Sequence, residues 1–445
     1  MAKTFRPYDP EQLLMLPPSL REWLPEDHLV YFVSDVVETL DLSAIYASYD
    51  EERGYPPYHP LLITRILLYG YARGVYSSRK LARACIEDVA FRTLCAGSQP
   101  DFRTIAEFRK RHLEALSGLF VQILQLCRAA GLVKLGHVAI DSTKIKANAS
   151  KHKAMSYGRM QEEEQRLRAE IKRLLARSEA EDAAEDELYG PDRRGDELPE
   201  ELRRREGRLK KIQEAKAALE QEAKEAAQRK GEADAAVPDK AQRNFTDPDS
   251  RIMKDSSKAF VQAYSAQLAV DADSQVIVET ELLQASNDKG QLVPMVERVC
   301  DRVEETPAAV SADTGYWTEA DIATMEWYEI PAYVATKKIR HSEWRDAAIL
   351  PEPVPDGLSR KERMTYLLRT ERGRAEFNKR KQTVEPVIGQ IKEARGFRRL
   401  LLRGHPKVRG EWRFVCTVHN LLKLFGSGWK PRRAAMRLAV VGGTG

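Results

Sequence analysis

At residue 133 the spacing of apolar residues changes period, and this break limits the possible folds more than any other feature of the chain. Upstream, "LVYFVSDVVETL", "PLLITRILLYGYARG", "SSRKLARACIEDVAFRTL" and "LSGLFVQILQLCRAAGL" repeat apolar residues at i, i+3 and i+4, as amphipathic helices do. Downstream, Val133, Leu135, Val138 and Ile140 form a β-favouring run that stops at Asp141. An all-helical N-terminal region therefore precedes one that contains a sheet.

Helix-start signals support the first half. Ser77 and Ser78 suit one start, and Asp101, or Thr104 with Glu107 in a T-x-x-E box, suits another. Short helices joined by "AGSQPD" resemble a helix-turn-helix, which would bring Arg103, Arg109, Lys110, Arg111 and His112 to a DNA groove. A small helical bundle produces the same pattern.

Past Asp141, residues 157 to 230 hold two highly charged helical stretches, one with Leu167, Ile171 and Leu174, the other with Leu209, Ile212, Leu219 and Ala223. "YGPDRRGDELP" between them supplies Gly and Pro, so the segment reads as an inserted antiparallel helical hairpin. The polar run "PDKAQRNFTDPDSR" leads back to the strands "AYSAQLAV" and "QVIVETELL", joined by the turn "DADS". A helix over 290 to 304, a strand ending on Asp313, the helix "TEADIATMEW", the strand "PAYVAT" and a late helical stretch over 373 to 396 follow.

This order predicts an α/β fold, a mixed sheet flanked by helices in the RNase H-like arrangement. The expected division is 1–132 helical and DNA-binding, 133–150 the first part of the catalytic domain, 151–250 insertion and linker, 251–426 its remainder, and 427–445 a tail.

In such a sheet Asp141 and Asp313 leave neighbouring strand ends. Paired carboxylates repel and have raised pKa values unless a cation neutralises them. Mg²⁺ suits these hard oxygens, with Mn²⁺ able to substitute, and two ions about 3.5 to 4 Å apart serve phosphoryl displacement. Glu385, amid basic residues, fits as the third acid, and Asn287 and Asp288 as an outer layer. Each acid alone also reads as a turn or first-turn helix residue, and it is their joint placement that favours a metal site.

Residues 374 to 413 carry twelve Lys or Arg against four Glu, a net +8, which leaves −3 for the rest of a chain whose total is +5. Such a block suits a polyanion, or a solvated helix face. The five cysteines contain no C-x-x-C pair, so neither a zinc finger nor a disulfide framework is implied. No apolar run is long enough to span a membrane, and no signal peptide is evident, so the cytoplasm is expected.

Three stretches, "AIDST", "ADTGYWTE" and "FNKRKQTVEPVIGQIK", resemble the DDE transposases of bacterial insertion sequences, in the branch with the Y-R-E-K signature. Lys392 stands seven residues after Glu385. Arg380 matches the Arg one position off the commonest spacing, and Phe377 replaces the usual Tyr. The resemblance implies that Asp141, Asp313 and Glu385 are catalytic metal ligands. It gives Arg380 and Lys392, with Lys144 and Lys146, contacts to DNA. It further implies cleavage and strand transfer at terminal inverted repeats, target DNA as a second partner, and a homo-oligomer assembled on DNA.

A tyrosine recombinase needs a late Tyr nucleophile, whereas the last tyrosine is Tyr366, and no P-loop occurs. An RNase H-like nuclease or a non-catalytic DNA-binding protein remain the alternatives.

Overall fold

The helical period upstream of residue 133 becomes helices α1 (Leu29–Thr39), α2 (Ser43–Tyr46), α3 (Pro60–Ala72), α4 (Ser78–Glu87), α5 (Val89–Cys95), α6 (Phe102–Arg111) and α7 (Leu113–Ala129). The structure, a computed structural model, describes residues 19–49, 57–189, 200–231, 236–255, 257–337 and 347–431. The turn over 190–199 and most of the tail from 427 lie outside them. Asp101 starts α6 by accepting the Arg103 N–H, so the cap falls there and not at Thr104. Ser77 occupies the start of α4 without a side-chain hydrogen bond.

The strands are β1 (Val138–Lys146), β2 (Ala154–Ser156), β3 (Gln242–Asn244), β4 (Arg251–Lys254), β5 (Phe260–Asp271), β6 (Ile277–Leu283), β7 (Val310–Ala312) and β8 (Ala332–Val334). β4, β5, β1, β7 and β8 lie in that order in one sheet, with β6 also paired to β5. β1 runs antiparallel to β5 and parallel to β7, so the sheet is mixed. β1 does not stop at Asp141. Its parallel ladder with β7 ends at Ile140, but pairing with the longer β5 carries it on to Lys146.

Two helices, α8 (Tyr157–Tyr189) and α9 (Glu200–Lys230), separate β2 from β3. Met160, Leu167, Ile212, Ala215 and Leu219 bury a small apolar cluster between them, apart from the main core. The β2–β3 ladder pins the base of this pair, and Glu164 accepts bonds from Gln213 and Lys216 across it and from Arg168 on its own helix.

Helices α10 (Leu292–Val303) and α11 (Glu319–Trp327) alternate with the later strands, and the long helix Glu371–Gly389 packs on β1, β7 and β8. A closing helix, His405–Gly426, is not among the elements expected from the sequence. Its Trp412, Val415 and Leu421 are buried, and it packs on α7 and β6. One apolar core consequently runs from α1 to this helix, so the N-terminal helices and the sheet share it. Among the described residues no helix is long and apolar enough to cross a membrane.

Candidate active site

The parallel ladder pairs Ile140 with Ala312, and the next residues on the two strands are Asp141 and Asp313. Strand register alone sets the two carboxylates side by side. Asp313 accepts the Gly315 N–H at 2.8 Å and starts the short 3-10 turn Thr314–Tyr316. One oxygen of Asp141 accepts the Ser142 N–H at 2.8 Å, and the other pairs with the Arg380 guanidinium. Burial pushes the Asp141 carboxyl up to about 6. Arg380 opposes this, whereas the negative charges of Asp313 and Asp288 add to it.

Asp288, in the loop after β6, completes a third side of the cluster. Its carboxylate accepts Ser142 Oγ at 2.9 Å, Gln267 Nε2 at 2.6 Å and Ser265 Oγ at 3.3 Å, and Lys144 Nζ stands 3.6 Å away. A Cβ at Gly315 would sit 3.0 Å from an Asp313 oxygen and 3.3 Å from an Asp288 oxygen, so glycine lets these acids approach. Beneath them the fully buried Tyr316 donates its hydroxyl to Gln267 Oε1. Burial, with the three nearby acids, pushes that hydroxyl well above its ordinary pKa.

The long helix Glu371–Gly389 brings Arg380 over the Phe377 ring, 5.8 Å from its centroid. Phe377, where a tyrosine is usual, thus supports the arginine that holds Asp141. His137, just ahead of β1, ties this helix down by bonding Glu376 and Ser311, each at 2.8 Å. The helix then widens into a π-helical turn, Gln390–Ala394. This turn points Lys392 Nζ at Thr143 Oγ1 (2.9 Å) and the Lys144 carbonyl (3.1 Å), and burial lowers its pKa.

Glu385 lies between Arg380 and Lys392 along the same helix, but its side chain is exposed. Among the described residues no three Asp, Glu, His or Cys side chains are gathered as a metal ion requires. Asp141, Asp313 and Asp288 are near enough to feel one another's charge but are not spaced as metal ligands, and Glu385 is exposed on its helix.

The remaining candidates divide. Arg103 and Arg111 are exposed on α6 and line a shallow hollow with Phe108, whereas Arg109 turns inward to Tyr71 Oη and the Tyr76 carbonyl. His112 is buried. Lys146 is half exposed, 3.7 Å from Asp255. Part of the late basic block is paired: Lys379 with Glu376, Arg409 with Glu281 and Arg413 with Glu279, while Arg398 meets Glu393 on the open surface. Arg380, Arg409 and Arg413 meet acids outside the block, Asp141, Glu281 and Glu279, so the block presents less positive charge than its net +8.

Two families match the chain: Transposase domain (DUF772) over residues 18–111, and Transposase DDE domain over residues 354–425. Both matches support an insertion-sequence DDE transposase. The second spans Arg380, Glu385 and Lys392 but stops short of Asp141 and Asp313. Neither a curated protein nor a solved structure matches the chain. Transposase domains indicate a function in DNA transposition, and the DDE domain implies an enzyme.

Proposed function

We propose that this chain cuts DNA at the ends of its insertion sequence and joins the freed 3′ ends to target DNA. The observation that carries the reading is the register-matched pair Asp141 and Asp313, next to the matched DDE segment that contains Glu385. The strand order β6, β5, β1, β7, β8 supports an RNase H-like catalytic domain split between residues 133–150 and 251–426. Residues 1–132 would form the helical DNA-binding part, and the α8–α9 pair an insertion. The enzyme would act in the cytoplasm.

The donor chemistry fits a divalent metal. Asp141 is a carboxylate buried beside two others, a field that a small dication relieves. Asp141, Asp313 and Glu385 would hold Mg²⁺, or Mn²⁺ in its place. When bound, two such ions activate the attacking oxygen and stabilise the leaving one. The chain's own residues position DNA: Arg380 and Lys392 bring positive charge to either end of the Asp141–Thr143 stretch, where backbone phosphates would lie.

Incubation with the element's terminal inverted repeats tests the reading. Strand cleavage leaving a 3′-hydroxyl is expected with Mg²⁺ and not without it, and cleavage confined to RNA–DNA hybrids would favour the RNase H-like nuclease. Replacing Arg380 and Lys392 with Ala should lower the log–log salt slope of DNA binding by about 0.9 for each phosphate that is no longer neutralised. An unchanged slope, measured by fluorescence anisotropy, assigns both to internal pairing only.

Two ends cut in concert need two active sites, so the α8–α9 pair is assigned to synapsis on a homo-oligomer. Its core is separate from the main one. Deleting 157–230 behind a short Gly/Ser linker should leave folding and single-end nicking intact and abolish paired-end assembly. Loss of folding, or undiminished assembly, counts against that role.

A further inference from the structure

The ribbon formed by β4 and β5 carries an exposed aromatic that the site does not use. Phe260 is 55% exposed, and its partner across the ladder, Lys254, holds Nζ 5.2 Å from the ring centroid. β5 hands its Gln262 carbonyl to the Ala147 N–H, and past that point only β4 accompanies it as a strand. A two-stranded tip therefore projects beyond the end of β1.

Cations surround it. Lys254 and Lys258 are on the tip, and Lys146 pairs with Asp255. The chain over 398–400 bonds to both the N–H and the carbonyl of Lys146, which brings the exposed Arg398 and Arg399 alongside. Five cations against Asp255 and Glu393 leave a local +3. The patch is continuous with Lys392, whose ammonium feels Asp255, Lys146 and Arg398.

We infer that this ribbon enters a groove of the DNA beside the cut, with Phe260 as an apolar contact to base edges or steps and Lys254 and Lys258 on the flanking phosphates. The inference rests on the proposed DNA-cutting site. A major groove admits a two-stranded ribbon, and apolar side chains recur as wedges between base steps. Strand geometry fixes where. From Asp141 to Lys146 and from Ala263 to Phe260 the path is about 27 Å at roughly 3.4 Å per residue. For a duplex running along β1, at about 3.4 Å per base pair, the groove lies about eight base pairs from the cleaved bond.

Hydroxyl-radical footprinting on a duplex carrying the terminal inverted repeat tests this. Wild-type protein should protect the cut and a second patch about eight base pairs away. Phe260→Ala should lose the second patch alone and weaken binding about fivefold or more, the low end for removal of a base-reading side chain. Phe260→Trp should retain both, and thermal melting should show all variants folded. Protection at the cut with no second patch, or a second patch that survives in Phe260→Ala, overturns the inference. Absence of protection at the cut overturns the underlying site as well.

Discussion

Replacing Asp141, Asp313 or Glu385 singly with alanine should lower strand cleavage by about a thousandfold or more while leaving DNA binding largely intact. Metal-ion stabilisation of a phosphoryl transition state amounts to several kcal/mol, and each 1.4 kcal/mol is about tenfold in rate. On the proposed reading, binding would rest on cations elsewhere, among them Lys392 and the exposed Arg103 and Arg111. Single-turnover cleavage and anisotropy on the same end duplex separate the two quantities. Near-normal cleavage by any one variant removes that residue from the site. Glu385 is the severest test of the proposal, because its carboxylate is exposed and would have to reach the aspartates when DNA and metal are bound.

In metal-free buffer, Asp141→Asn should gain about 2 kcal/mol of stability relative to wild type between pH 4 and pH 8. Burial holds the folded carboxyl at about 6 against an ordinary 3.8. A raised acid favours its protonated form in the fold, so its contribution is fully present below 3.8 and is lost as pH rises through about 6. Asparagine does not titrate, and Arg380 stays charged throughout, so the difference between the proteins isolates Asp141. Urea unfolding at several pH values in chelator measures it. A difference that does not change with pH would show that the Arg380 pair fully offsets the burial.

The adjacency of Asp141 and Asp313 was legible in the sequence because it depends on local signals: two β-favouring runs, each reaching an acid, in an order that makes the strands parallel neighbours. Glu385 was legible as part of a motif, but a motif does not say which way a helix faces, and its side chain turns out exposed. Asp288 was expected only as an outer layer, yet Ser142, Gln267 and Gly315 bring it against the two aspartates. Those contacts join residues far apart in the chain, and no periodicity reports them.

The late basic block shows the same limit. Its charge was countable, but the partners that absorb it, Asp141, Glu279 and Glu281, sit on strands more than a hundred residues upstream. Arg109 fell to a related cause. It sits on a helix with DNA-reading composition, but its guanidinium serves the Tyr71–Tyr76 turn region. The closing helix lies beyond the elements expected from the sequence, although its buried Val408, Trp412, Val415 and Cys416 do recur at helical spacing.

Titration of Mn²⁺ into the protein bound to its end duplex, followed by electron paramagnetic resonance of the free ion, tests most directly whether three acids hold the metal that cuts DNA. Wild-type complex should take up Mn²⁺, and Asp141→Ala, Asp313→Ala and Glu385→Ala should each weaken that uptake sharply. Uptake by Glu385→Ala equal to wild type would contradict the three-acid site, and equal uptake by all four proteins would contradict a metal site at these residues altogether.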